Sequence, residues 1–534
     1  MDLETIATDD HFNDDRMSYE WIPMEIMAYY AAGDSDAALR IHHRFSQMID
    51  ADPRNADGKI KNLYYSFYPQ LVTALSRIQN NGMHVDDAYL TEITSKYAEQ
   101  EEALDEEIRK FPQVKDIEED RLALYEQGVT EFAKPVKERD PSIVKWRDKY
   151  KKGAWKFSAK KREDRNYLFF HELGYKPPYD KAFIVDKAFK AHKPEAQLTY
   201  QDYKSNKEAI DEIKRQADKK GDEATSKLMD AFKRYSVVSK ISSSFTDSLR
   251  EYISDKDGCL HGRYSSAGTE TSRLSSSQIN MQNLPAHTSN VKADTYQYPI
   301  KRMFNSRFEH GHMINIDYAN LEFRVLGLVT HEDNMTEAFL TGKDIHKANA
   351  ALSYGIPYEE VTSVQRKAAK AIGFGLIYGK GTPALAEDLG VSEEEAQEKV
   401  DTFFKTKPKV EKFINDTHKF VEENGYVTTM NGFRRSLTGI ISTDFSVKSK
   451  AERQSVNTVI QGSGAILTNT SVIMITEAFN QLKMKSVIAA TVHDSVLIDA
   501  PDNDVKMAVK VALVIMIHLN YQCLLTTCKG YKIR

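Results

Sequence analysis

Cysteine is nearly absent: Cys259, Cys523 and Cys528 are the only three in 534 residues, too few for a disulfide framework. No histidine or cysteine cluster accompanies the last two, so plain packing and a reducing, cytoplasmic setting are expected. Long apolar runs are equally scarce. None approaches the roughly 20 residues of a membrane span, and Met1 is followed by acidic residues rather than a secretion signal. No internal repeat or low-complexity tract is visible. Strong net charge is missing too: 73 Lys and Arg against 78 Asp and Glu leave −5. That balance alone points to no polyanionic partner, but phosphate contacts are made by a patch rather than an average. What remains is an ordinary globular composition, 41% hydrophobic and 28% charged. The length calls for roughly two to four subdomains.

Three stretches organise the chain. In MINIDYANLEFR (313–324), Met313, Ile314 and Ile316 read as a buried strand with Asp317 at its end. Leu321, Phe323 and Val325 continue as an amphipathic helix or turn. In VIAATVHDSVLIDA (487–500), two apolar strands flank His493-Asp494, which places Asp494 at a hairpin tip. A carboxylate beside a buried strand is costly unless something there needs negative charge. Two of them could share a pair of divalent cations, as phosphoryl transfer requires. Between them, RKAAKAIGFGLIYG (366–379) repeats Arg366, Lys370, Phe374 and Tyr378 at every fourth residue, one helical stripe. Thr362 and Gln365 form a capping box ahead of it. Gly375 and Gly379 each cost about 1 kcal/mol in a helix interior and point to close backbone approach. Together the three stretches resemble motifs A, B and C of family A DNA polymerases, the group of bacterial polymerase I and its phage relatives.

Further blocks carry the same resemblance. GRYSSAGTETSRLSSSQINMQNLP (262–285) is similar to the family's TGRLSS…NLQN-P, which implies Arg273, Gln282 and Asn283 as contacts to the primer-template. Minor-groove acceptors occur on every base pair, so such contacts test pair geometry without reading sequence. TGKDIHKANAALSYG (341–355) is similar to GKDIHxxTA, making His346 a triphosphate contact. AERQSVNTVIQGSGAI (451–466) resembles AERxxxNxxxQGTAAD; Arg453, Asn457 and Gln461 share one helical face, and with His493 they are expected at the DNA. Upstream, 60–112 is helical and broken at Asn81-Gly82. Lys134 to Arg165 then carries 13 Lys or Arg against 5 Asp or Glu, with Trp146, Tyr150, Trp155 and Phe157 interleaved. Either this is a solvated basic helix with its own anchors or it grips a duplex backbone. Ser392–Glu395 caps a later helix, and Asn431-Gly432 marks a hairpin. Near the N-terminus, Asp2 and Glu4 match the DxET opening of a proofreading exonuclease, and Tyr30 and Asp34 its closing Tyr-x3-Asp. The spacing leaves no room for the sheet between them, so a remnant without proofreading is expected.

The resemblance implies an α+β, right-hand architecture with an antiparallel-sheet palm, helical fingers and a helical thumb. The expected divisions are an exonuclease-like remnant at 1–55, thumb with a first palm segment at 56–255, palm with motif A at 256–325, fingers at 326–450, and palm with motif C at 451–534. The implied activity is template-directed addition of dNTPs to a primer 3′-hydroxyl with pyrophosphate release. Asp317 and Asp494, with the Tyr318 carbonyl, would hold two Mg²⁺ ions, Mn²⁺ being able to substitute. Arg366 and Lys370 would neutralise the triphosphate, Phe374 would pack on the incoming sugar, and Tyr378 would sit near the template base. Expected partners are primed template DNA and dNTPs, acting on a monomer with no membrane, and with any processivity factor left open.

Two positions depart from the family. Ser495 stands where motif C has glutamate, and Gly373 where asparagine is common. The HDS tripeptide also occurs in single-subunit RNA polymerases. Glu322, resembling the steric gate of DNA polymerases, and Phe374 weigh against that rival. A metal-dependent nuclease would have no use for the Arg366-Lys370-Phe374-Tyr378 stripe. An inert primed-DNA binder would not need both aspartates.

Overall fold

Helices carry most of the chain, and their ends fall where capping chemistry places them. The computed structural model describes residues 23–277, 280–283 and 298–525. The Asp2/Glu4 match and Cys528 lie outside them, as do the side chains of Asn283 and Cys523. Helix α1 (Met24–Ala51) buries none of its residues, and Tyr30 and Asp34 are exposed on it. Helix α2 (Tyr68–Asn81) ends at the predicted Asn81-Gly82 break. Helices α3 (Asp87–Arg109) and α4 (Pro112–Phe132) follow, the first capped by the Asp86 carboxylate on the Tyr89 N–H. Helix α5 (Pro141–Tyr150) lies in the basic tract, where Trp146 and Tyr150 stack at 5.9 Å. Tyr150 and Phe157 are buried, while Lys145, Lys149, Lys152 and Lys156 stay exposed. The aromatic residues therefore anchor the tract and its ammonium groups reach solvent.

Helices α6 (Lys207–Lys220) and α7 (Glu223–Ile241) pack together, and α7 packs onto α3. They enclose a first core drawn mainly from residues 83 to 304, in which Phe157 and Phe169 meet Phe232 edge to face. Ala489 and Ala490 join it from the far end of the chain. A second core unites Leu71, Leu75 and Ile78 of α2 with residues between 318 and 516. Its helices include α8 (Leu321–Thr330), α9 (Ile345–Tyr354), α10 (Ser363–Ile377), α11 (Glu393–Thr406) and α12 (Pro408–Asn424). The Thr362/Gln365 capping box opens α10, and Ser392 caps α11, as predicted. Helix α13 (Phe445–Gln481) and α14 (Val505–Leu525) complete the set.

Against the expected scarcity of apolar runs, α13 is long and apolar enough to cross a membrane by length and composition. Of its most apolar stretch, 72% is buried inside the protein, so α13 is the central core helix.

The strands are short. β1 (Met83–His84) pairs with β2 (Cys259–Leu260), and β3 (Arg263–Ser265) with β4 (Ser275–Ser277). β5 (His312–Asp317) stands apart from the hairpin of β6 (Tyr426–Thr428) and β7 (Arg434–Ser436), which turns around Asn431-Gly432 as expected. β8 (Val487–Val492) and β9 (Ser495–Ala500) join β5 in an antiparallel sheet of order β5-β9-β8, with Asp317 opposite Ser495. Val496, Ile498 and Ala500 of the central strand are fully buried. β5, expected as a buried strand, is instead an edge: His312, Asn315 and Asp317 are exposed, and its apolar residues are half-buried. An edge strand pairs on one side only, so Asp317 reaches solvent and is spared part of the desolvation a core carboxylate would suffer. Helical bodies beside small antiparallel sheets make the α+β architecture that was expected.

Candidate active site

The sheet brings the two aspartates together. Asp317 ends β5, and Asp494 lies in the two-residue turn between β8 and β9, where the Tyr318 N–H donates to the Asp494 carbonyl at 3.3 Å. His493 takes a left-handed φ of 52°, which a non-glycine residue adopts only when its surroundings hold it. The clamp is visible. Gln282 accepts from the His493 N–H at 2.7 Å and donates to the Thr491 carbonyl at 3.1 Å. The Tyr264 hydroxyl donates to that same carbonyl and accepts from the Thr491 N–H, both at 3.3 Å. Burial pushes the Asp494 carboxyl up to about 6, with the charges of Glu322 and Asp317 adding to it and Arg273 opposing. Surrounding protein raises Asp317 as well, against the pull of Lys301. Two carboxyls held near each other and both raised form a site built to receive positive charge.

Glu322 links this pair to α10. Its Oε1 accepts from Arg273 Nη2 at 2.9 Å and from the Tyr378 hydroxyl at 3.3 Å. The predicted stripe runs along α10 as Arg366, Lys370 and Phe374, with Tyr378 just past the helix end. Phe374 and Tyr378 stack at 6.1 Å, and the Lys370 ammonium lies 5.7 Å from the Phe374 ring. Arg366 is engaged elsewhere: its Nε and Nη2 both donate to one oxygen of Asp344, at 3.1 and 2.6 Å.

Across from α10, Arg453, Asn457 and Gln461 share a face of α13. Gly379 follows α10 with a φ of 66°, and Arg453 packs so close that a Cβ there would overlap its side chain. Gly375 is crowded in the same way by Leu385. Both close approaches were expected, though Gly379 lies beyond the helix rather than inside it. Gln461 lies beside the Tyr378 hydroxyl. Asn457 Oδ1 is buried and has no hydrogen-bond partner among the described residues. Acidic strand ends, a basic-aromatic helix and a polar helix face thus converge.

The model for DNA polymerase family A matches residues 183–528. The chain belongs to DNA polymerase family A. It is 29% identical over 504 residues to the DNA polymerase of Bacillus phage SP01, covering 92% of this chain and 51% of that protein. To DNA polymerase I of Chloroflexus aurantiacus it is 26% identical over 496 residues, 93% of this chain and 44% of that one. The chain spans about half the length of the curated relatives it matches. Its fold is similar to the POL domain of Pol1 from M. smegmatis, solved with DNA primer-template and dNTP, with a TM-score of 0.65 at 21% identity. That match covers 86% of this chain and 68% of the other.

The departures from the family A pattern have physical reasons. Ser495 is 8% exposed, and its hydroxyl donates to the Val492 carbonyl at 2.9 Å, closing the hairpin. At Gly373 any Cβ would lie 2.7 Å from the ring tip of Phe323, so that ring occupies the space of a side chain. His346, expected at the triphosphate, is 1% exposed and packs against Phe323 and Phe374, and burial lowers its ring to about 4. Its Nε2 bonds Asn320 Oδ1 at 3.0 Å, and Nδ1 has no partner among the described residues, so a neutral imidazole packs there. Asp344 and Phe323 touch Arg366 and Phe374, contacts that sequence reasoning misses. The matched GKDIH block does place Asp344 beside His346, whereas Phe323 gives only a core signal.

Proposed function

We propose that this chain adds deoxynucleotides to a primer 3′-hydroxyl as a DNA template directs. One observation carries the proposal: Glu322 hydrogen-bonds the end of the basic-aromatic helix α10 while its charge bears on Asp494 beside Asp317. A nuclease or a passive DNA binder has no need of that junction. On this reading residues 326–450, with α10, are the fingers, and the β5-β9-β8 sheet is the floor of the palm.

The donor set fits Mg²⁺. Asp317, Asp494 and the Tyr318 carbonyl supply hard oxygens. Mg²⁺ is held in this way, by one or two carboxylates with substrate phosphates and water completing the octahedron. When bound, such ions would supply acidification of the primer hydroxyl and neutralisation of the departing pyrophosphate. The remaining work falls to this chain's own groups. Lys370 neutralises the triphosphate where it stands on the exposed face of α10. Arg366 joins it after releasing Asp344, a change suited to closure of the fingers over the nucleotide. Phe374 packs on the incoming sugar, and Glu322, held by Arg273 and Tyr378, fills the space beside C2′. Arg453, Asn457, Gln461 and the hairpin around His493 face the primer-template, together with Arg273 and Gln282. The exposed lysines of the α5 tract add sequence-independent grip on its backbone.

Extension of a labelled primer on a DNA template, with dNTPs or rNTPs and Mg²⁺, tests the assignment in one gel. Stepwise growth with dNTPs is expected. Growth with rNTPs alone would make the chain a transcriptase, shortening a nuclease, and no change an inert binder.

A further inference from the structure

Phe323 has no part in the chemistry described so far, yet it touches two residues of the nucleotide site. It is fully buried, and its ring meets Phe374 edge to face at 4.9 Å and His346 at 4.9 Å and 89°. Its ring tip also points at Gly373. A Cβ at that position would meet the Phe323 Cζ at 2.7 Å and Cε1 at 3.1 Å, with Phe403 at 3.8 Å beyond. Real Cβ atoms do not approach so closely, and a densely packed interior leaves the ring little room to retreat. Phe323 and Gly373 are therefore a size-matched pair, one ring filling what one missing side chain leaves open. Gly373 immediately precedes Phe374 on α10. The ring that fills the gap thus also bears on the residue that faces the cleft.

We propose that Phe323 is a positioning residue that sets sugar selectivity by fixing the Phe374 ring from behind, with Gly373 as its required partner. The inference rests on the placement of Phe374 at the incoming sugar. Phe374 is flanked by Tyr378, stacked within 14° of parallel, and by Phe323 nearly perpendicular at 86°. Two such contacts in different directions define the ring plane, and removing the perpendicular one frees the ring to tilt away from C2′ and C3′. His346 serves the same end, as a neutral ring against both phenylalanines.

A cycle of Phe323→Leu, Gly373→Ala and the double variant tests the proposal in the full chain. Phe323→Leu should lower the ratio of kcat/KM for dNTP over rNTP, and for dNTP over ddNTP, by at least about fivefold. Gly373→Ala alone should lower Tm and kcat/KM, because its methyl drives into the Phe323 ring. In the Phe323→Leu background the same Gly373→Ala should raise Tm, because alanine is the better helix former once the space is free. A Gly373→Ala effect on Tm of the same sign in both backgrounds would overturn the pairing. Equal loss of kcat/KM for all three nucleotides in Phe323→Leu would reduce Phe323 to a packing residue and overturn its role in selectivity. A wild-type chain that extends no primer would instead overturn the proposed function, and the sign of the Tm change would still decide the pairing.

Discussion

Two aspartates of the β8-β9 hairpin have opposite fates. Asp499, inside β9, is fully buried and saturated: it accepts from the Arg307 backbone N–H at 3.1 Å, from Arg307 Nε at 2.8 Å and from the Ser306 hydroxyl. Arg307 in turn donates to the carbonyls of Asn81 and Gly82, both at 2.8 Å, and so braces the sheet against the end of α2. Asp494, at the turn, receives no hydrogen bond on its carboxylate from any described residue and has Glu322 and Asp317 for neighbours. A buried acid whose every oxygen is paired is a structural cross-brace. An acid kept beside like charge raises the energy of the fold, and it persists where a function needs the charge.

The largest break in that comparison comes at Asp494. Asp494→Asn keeps the shape and removes the charge, and primer extension should fall at least about a thousandfold, roughly 4 kcal/mol in the barrier. The melting temperature should hold or rise, because a repulsion is lost. Retention of more than about a tenth of the rate would remove Asp494 from the chemistry.

Arg307→Ala should do the reverse. Left alone at the bottom of the sheet, Asp499 would be an uncompensated buried charge, and the unfolding free energy should drop by about 3–5 kcal/mol. A denaturant titration reads this directly, and a loss under about 1 kcal/mol would mean that water reaches Asp499.

Lys407 extends the comparison to a cation. It is fully buried against the Phe403 ring, with the Thr406 hydroxyl at 3.2 Å, and burial lowers it from 10.5 to about 8 despite nearby Glu332. The unfolded chain therefore binds more protons than the folded one between about pH 8 and 10.5, and the Lys407 contribution to stability improves as pH rises through that window. Lys407→Met removes the buried ammonium and should stabilise the protein at pH 7 by about 3 kcal/mol at most. The advantage should shrink toward pH 10. A difference that does not change with pH would show Lys407 unperturbed.

The smallest effect is expected at Asp344, a paired acid that is not sealed in. Its side chain is 33% exposed and that of Arg366 40% exposed, so the pair can exchange for phosphate where Asp499–Arg307 cannot. Asp344→Asn keeps the cap on α9, whose Lys347 N–H it accepts at 2.8 Å, and releases Arg366. KM for dNTP should fall about two- to fivefold, as an exposed pair of up to about 1 kcal/mol allows. An unchanged KM would mean that the ion pair does not compete with the triphosphate.

Much of this site was legible along the chain because its signals are local. Acids at the ends of apolar runs gave Asp317 and Asp494, a capping box gave the start of α10, and fourfold spacing gave its stripe. The rest depends on which elements meet. Spacing could not tell that β5 is an edge, since edge and centre share one alternation. Nor could it show that Asp344 holds Arg366, that His346 is buried against Phe374, or that Tyr378 falls outside the helix whose stripe it continues.

The order of residues by itself determined the elements, their caps and turns, and the kinds of chemistry each could carry, because these follow from neighbours a few bonds apart. Only the tertiary structure decided which carboxylate is braced and which is left exposed to like charge. It also decided that a missing side chain at Gly373 is the space for a ring fifty residues away, since burial and repulsion are properties of what folds against what.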